Sequence, residues 1–200
     1  MRRGVAPVPL SLPADAEAIR ELSAGDEVRL SGRVITGRAP AHRLLATADD
    51  PALRAAAAGA VVYHCSPLVI ADPTTGTWRA TAAGPSPSAP MEPWQAAVLE
   101  RLGLRGVLGR GGMGPATRAA LARLGAVYLH ALGGLAVGLA RRVARVAGVH
   151  GLDALGAAEA IWVLELEDFP AVVTMDARGE SLHDRRPDGE PSTAEGAPGG

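Results

Sequence analysis

The sequence predicts an α/β fold with at least part of its sheet parallel, and three observations carry that expectation. Short apolar runs of strand type alternate with helical stretches along most of the chain. Prolines open helices and glycines close them, at Pro93 and Gly103 and again at Pro115 and Gly125. With 200 residues, 48% of them hydrophobic and 20% charged, the chain is long enough to bury a core. Only 3% of residues are aromatic, so that core is built from Ala, Val and Leu.

In order, residues 14–22 read as a helix entered at Pro13 and stopped by Gly25. Val28, Leu30, Val34 and Thr36 alternate as in a half-buried strand, and 37–40 turns the chain. Residues 41–47 and 51–58 read as helices, and 60–65, 68–71 and 78–83 as strands. The segment 84–90, GPSPSAP, is too rich in proline for helix or central strand and stiff enough to hold a side chain in place, so it is a candidate site loop. Helices at 93–102 and 115–125 flank a strand at 105–109, and 126–129 is the next strand. Leu135, Leu139, Val143 and Val146 recur at helical spacing and predict a helix there. Residues 161–166 and 171–175 read as two final strands separated by Pro170. The expectation is one domain over 8–183, with a disordered tail over 184–200, where Arg, Pro, Gly, Glu and Ser dominate.

Composition removes several function classes. A net charge of -1 offers no general attraction for nucleic acid or an acidic membrane. All 20 basic residues are arginine, a compositional trait that matters at one site position below. The single Cys65 excludes an internal disulfide, and equally an iron-sulfur or Cys-rich zinc site held by this chain alone. The Pro-broken opening predicts no secretory leader, and a reducing cytoplasm fits one cysteine. The uncharged stretch 124–140 is nearly long enough to span a bilayer, but its glycines and His130 argue against a membrane span.

Gly109-Arg110-Gly111-Gly112-Met113-Gly114 has the spacing of a dinucleotide fingerprint between a predicted strand and a predicted helix. The acidic residue expected about 20 positions on is missing, so the loop reads better as a cradle for a small anion at a helix start. The histidines at 42, 64, 130, 150 and 183 show no metal-ligand spacing, and His64 and Cys65 point to opposite faces of their strand. Cys65 reads as a small buried core residue, and His42 as helix surface or site.

Four ordered blocks resemble the C-terminal, or beta-subunit, domain of the iron-sulfur hydro-lyases that include class I fumarase and L-tartrate dehydratase. Residues 25–42, GDEVRLSGRVITGRAPAH, are similar to that family's GDEV...G...TARDAAH. Gly84-Pro85-Ser86 through Pro90-Met91-Glu92-Pro93 is similar to GPTTxxRMDP. Residues 106–113, GVLGRGGM, are similar to GxIGKGGM, and 159–171 matches EAIW...VEDFPA.

The resemblance implies a swivelling β/β/α domain with a mixed sheet, which completes an active site with a cluster-bearing alpha-type subunit in a hetero-oligomer. That partner supplies three cysteines to a [4Fe-4S] cluster whose open iron acts as a Lewis acid. The implied reaction is reversible hydration of a small dicarboxylate of the fumarate, malate or tartrate type. By position, Arg38 is a carboxylate clamp and His42 belongs to the same substrate-binding block. Ser86 stands at the threonine assigned as base, Arg110 at the lysine of KGGM, and Gly111 and Gly112 lend backbone donors. No metal ligand is assigned to this chain. It departs from the pattern at Ala39 for Asp, Pro90 for Arg and Arg110 for Lys. Arg110 keeps the charge but cannot release a proton at neutral pH. These departures leave a second reading open, a catalytically impaired paralogue acting as an accessory or regulatory interaction module.

Overall fold

The computed structural model describes residues 6–47 and 49–184. Nine strands and seven α-helices are found among them: β1 (Val8–Leu12), α1 (Ala16–Glu21), β2 (Glu27–Thr36), α2 (Ala39–Leu45), α3 (Pro51–Ala57), β3 (Val61–Tyr63), β4 (Leu68–Ala71), β5 (Trp78–Ala82), α4 (Glu92–Leu102), β6 (Gly106–Gly109), α5 (Pro115–Leu124), β7 (Val127–His130), α6 (Ala136–Ala140), β8 (Val143–His150), α7 (Leu152–Leu155) and β9 (Ile161–Met175). The fold is mixed α/β. Strands β1, β2, β3, β6 and β7 pair in parallel, and β9 runs antiparallel to β2, β7 and β8. Because β9 bonds to both β7 and β2, the pairings β2–β3–β6–β7–β9 close into a ring, with β1 attached to β2 and β8 to β9. The β4–β5 hairpin is a separate two-stranded sheet.

Alternation along the strands divides the interior in two. Val61, Tyr63, Leu108, Leu129, Trp162 and Leu164 pack in one cluster with Ile19 and Leu22 of the α1 segment. Their neighbours Val62, Val107, Tyr128, Ile161 and Val163 point the other way, onto α2 to α5 through Leu45, Leu53, Leu99 and Leu121.

The predicted helix at 135–146 is corrected: only Ala136–Ala140 is helical, and Val143–His150 is a strand. Register shifts at Val143/Arg145 and Val146/Gly148 each insert one extra residue. Val143, Val146 and Val149 therefore pair with Leu166, Leu164 and Trp162 on one face. Two bulges turn the strand period of two into a spacing of three, which imitates a helix. The two final strands are one, Ile161–Met175. Pro170 lies between the stretch paired with β8, ending at Leu166, and that paired with β7, starting at Val172, so β9 has no second neighbour there. Asp168, at φ 50, makes the local bend; its N–H donates to the Ser31 hydroxyl and its carboxylate pairs with Arg142.

β1 was not predicted. Its alternation, with Leu10 and Leu12 buried, is masked by three prolines, of which Pro9 is exposed on the flanking strand. Pro13 also lies outside α1, whose N-cap is Asp15, accepting from the Ala18 N–H. The apolar stretch 124–140 is divided among the end of α5, β7 and α6, and no helix among the described residues is long and apolar enough to cross a membrane. Of the predicted tail, Asp184 ends a short 3-10 turn and bonds to Arg118; the remainder lies outside the described residues.

Candidate active site

Parallel strands deliver their following loops to one edge, the usual place for a site in an α/β sheet. Here that edge receives Gly37–Arg38 after β2, His64–Ser66 after β3, Arg110–Gly114 after β6 and His130 at the end of β7. The proline-rich segment is laid across it. Pro85 bridges to Cys65 and Pro87 to Arg110, the Ser86 N–H donates to the His64 carbonyl at 2.7 Å, and the Ser88 N–H to the Arg110 carbonyl at 3.0 Å. Three of the four sequence blocks thus meet, and the fourth reaches in through Glu159.

Arg110 is exposed, and its Nε donates to the Pro85 carbonyl at 3.1 Å, which sets the guanidinium beside Ser86. The half-buried Ser86 hydroxyl has no hydrogen-bond partner among the described residues. Arg38 is half-buried, and its Nε and one Nη donate to the Glu159 carboxylate, leaving Nη1 and one further hydrogen without a partner among the described residues. The Gly37 N–H donates to the Tyr63 carbonyl at 3.0 Å, so the loop carrying Arg38 lies beside the end of β3 that leads into His64 and Cys65. His130 lies near Arg110; burial first, then the arginine charge, holds its pKa below the ordinary imidazole value. His183 is shifted the same way, by burial and then by His130, and its Nε2 is 2.9 Å from Thr174 Oγ1.

Two sequence-based assignments change. His42 is fully buried on the inner face of α2 and cannot touch a substrate. Its Nδ1 is 3.0 Å from the Arg38 carbonyl and its Nε2 3.0 Å from Gln95 Oε1. Gly112 does not offer its N–H outward, because that group donates to the Tyr128 hydroxyl at 3.2 Å. Gly111 remains exposed at φ 87 with open space around it.

Sequence reasoning missed a buried polar chain beneath these loops. From His42 it passes through Gln95 to His64 Nε2 at 2.7 Å, from His64 Nδ1 to Ser88 Oγ at 2.8 Å, and on to Tyr128 Oη at 2.7 Å. Burial lowers the pKa of His42, and that of His64 further still, with the His42 charge second, so both rings are neutral. Ser88 and His64 have the spacing of a nucleophile and its base, but both are fully buried and no substrate reaches them. No periodicity or motif marked Gln95, which comes from α4, or Tyr128, which comes from β7.

The glycine spacing of the loop answers to packing. A Cβ on Gly109 would lie 2.1 Å from Ser88 Oγ, one on Gly112 2.8 Å from the His183 ring, and one on Gly114 2.7 Å from Glu92 Oε1. The Glu92 carboxylate accepts from the N–H groups of Gly114 and Thr117 and from the Thr117 hydroxyl. It occupies the start of α5, where a phosphate would bind, so the anion-cradle expectation fails at the helix and the nucleotide reading loses its site.

The family described as Fumarase C-terminus matches residues 2–186. The chain belongs to that fumarase C-terminal family. It is 43% identical over 177 residues to a Geobacillus stearothermophilus protein named "Putative fumarate hydratase class I", covering 88% of this chain and 34% of that one. It is 30% identical over 174 residues to the L(+)-tartrate dehydratase subunit beta of Escherichia coli K12, covering 86% of this chain and 85% of the subunit. The chain therefore spans about a third of its Geobacillus relative and most of the beta subunit. Both relatives carry hydro-lyase names. In this member of the fumarase C-terminal family, no three His, Cys, Asp or Glu side chains among the described residues lie together as metal ligands. Its one thiol, Cys65, is buried, and that burial raises its pKa to about 12. These residues do not fit an iron-sulfur cluster.

Proposed function

We propose that the chain is the beta-type subunit of a hydro-lyase acting on a small dicarboxylate of the fumarate, malate or tartrate type. The observation that supports this reading is the Arg110 Nε contact to the Pro85 carbonyl, one residue before Ser86, at the sheet edge that also receives the loop carrying Arg38. Two guanidinium groups and a hydroxyl carried on neighbouring loops suit a dicarboxylate: in this reading each cation binds one end, and the hydroxyl serves the carbons between them. Glu159 holds the Arg38 fork at a fixed angle, so its remaining donors present an ordered face to a carboxylate. In this reading Ser86 takes the proton position, and Arg110 stabilises negative charge as it develops on the adjacent carboxylate. Proton transfer is assigned to Ser86 and not to Arg110, which holds its proton throughout.

The catalytic domain is 8–183, swivelling against a partner subunit that carries the cluster, and the assembly is a cytoplasmic hetero-oligomer. Anaerobic affinity purification of the chain from its host, with iron and acid-labile sulfide measured and fumarate, malate and tartrate assayed, tests this. An iron-sulfur partner with turnover is the expected result. A partner without turnover supports the impaired accessory module, which Ala39 and Pro90 in place of charged residues favour. Absence of any iron-sulfur partner overturns both.

A further inference from the structure

Resting on that reading of the site, we propose that Gln95 is a positioning residue. Its side-chain NH2 donates to both His42 and His64, tying the main chain at Arg38 to the main chain at Gly112 beneath the site.

The Gln95 amide is fully buried between two imidazoles that meet edge-on, with ring centroids 4.9 Å apart. One end of the amide lies 3.0 Å from His42 Nε2 and 2.7 Å from His64 Nε2; the other end is buried without a hydrogen-bond partner. The oxygen and nitrogen of a side-chain amide are told apart by the hydrogens around them. His42 Nδ1 faces the Arg38 carbonyl, which can only accept, so Nδ1 carries the hydrogen of the neutral ring. His42 Nε2 is then a bare lone pair. A carbonyl oxygen facing it would set lone pair against lone pair, and would bury an NH2 group with both hydrogens unpaired. Turned end for end from the placement with oxygen toward the rings, the amide supplies one hydrogen to each Nε2. The group left unpaired is then a single carbonyl, the cheaper omission.

The remaining hydrogens follow from this assignment. His64 Nδ1–H donates to Ser88 Oγ, the Ser88 and Tyr128 hydroxyls share a hydrogen bond, and the Gly112 N–H donates to Tyr128 Oη. One chain of hydrogen bonds thus runs from the loop after β2, through α4 and the loop after β3, to the loop after β6. Arg38 and Arg110 sit on the two loops it joins, so it fixes the separation of the two cations while touching no substrate itself.

The test uses the full chain on its own, uniformly labelled with nitrogen-15, at neutral pH. Both buried rings are expected to carry hydrogen on Nδ1, with a through-hydrogen-bond coupling from the Gln95 amide nitrogen to each Nε2. Hydrogen on Nε2 of either ring overturns the assignment. Gln95→Leu is expected to speed hydrogen exchange at the Gly112 N–H at least tenfold, with exchange at Leu30 unchanged. Unchanged exchange at Gly112 in the folded variant overturns the tie. Should Gln95→Leu fail to fold, the ring measurement on the unsubstituted chain still decides. No turnover is read, so failure of the hydro-lyase reading and failure of this one are separate results.

Discussion

Arg110 combines an exposed guanidinium with a fixed Nε, and that division sets what its loss should do. Arg110→Ala in the assembled enzyme is expected to lower kcat/KM by about 10² to 10³, the range for removing one donor aimed at developing charge. Arg110→Lys should keep the charge but lose the Pro85 contact, giving a smaller fall. Steady-state kinetics on fumarate, malate and tartrate check both, and an Ala variant within twofold of the parent would remove Arg110 from the site. Gly109→Ala acts differently, because the added methyl meets Ser88 Oγ at 2.1 Å inside packed structure. It should cost about 1–3 kcal/mol of stability, read from urea unfolding. At this scale motif membership singles out Ser86 and Arg110, which the structure leaves half-buried and exposed respectively. His42 also belongs to a motif but faces inward, and nothing in its spacing distinguished the two. Gln95 was illegible because its role depends on His64 and His42 approaching from other elements.

Helix α5 begins without a side-chain cap of its own, since Gly114 stands at the N-cap position. Glu92, the first residue of α4, serves instead and joins two helices at their starts. Glu92→Ala should therefore destabilise the protein by about 1–2 kcal/mol, and Glu92→Gln by less, as measured by urea midpoints. Equal stability of the Ala variant and the parent would mean that water replaces the carboxylate without cost. The elements themselves were largely readable, since proline and glycine punctuation located α4, α5 and the strand between them. Strand β8 was not, because its apolar period reflects bulges created by pairing with β9, a property of two strands together. Strand β9 was divided in two for a similar reason: whether Pro170 breaks a strand depends on whether a second neighbour needs its N–H.

For the molecule as a whole, burial of two neutral imidazoles makes stability depend on pH. His42 and His64 have folded pKa values below the ordinary 6.5, so the unfolded chain binds their protons first as pH falls. Stability is then level above about pH 6.5 and declines below it, by up to about 1.4 kcal/mol per pH unit for each ring until its folded value is reached. Depressed carboxylates such as Asp176, held down by the Ala24, Arg178 and Glu180 N–H groups against the opposing effect of burial, lose their contribution only at lower pH. Urea midpoints are expected to fall between pH 7 and pH 5. A flat profile over that window would show that the folded protein protonates both rings freely.

Ring closure by β9 also bears on how the chain reaches this state. β9 is the last strand among the described residues, and it pairs Phe169 with Leu30 and Val163 with Ile35, joining opposite ends of the sequence. Before it docks, β2 lacks one neighbour, β7 has an open edge and β8 has no partner at all. Such edges are templates for other chains, and contacts so distant in sequence form slowly. A newly made chain thus passes through an incomplete, adhesive sheet until β9 seals it, which makes the interval before that docking its period of greatest exposure to aggregation.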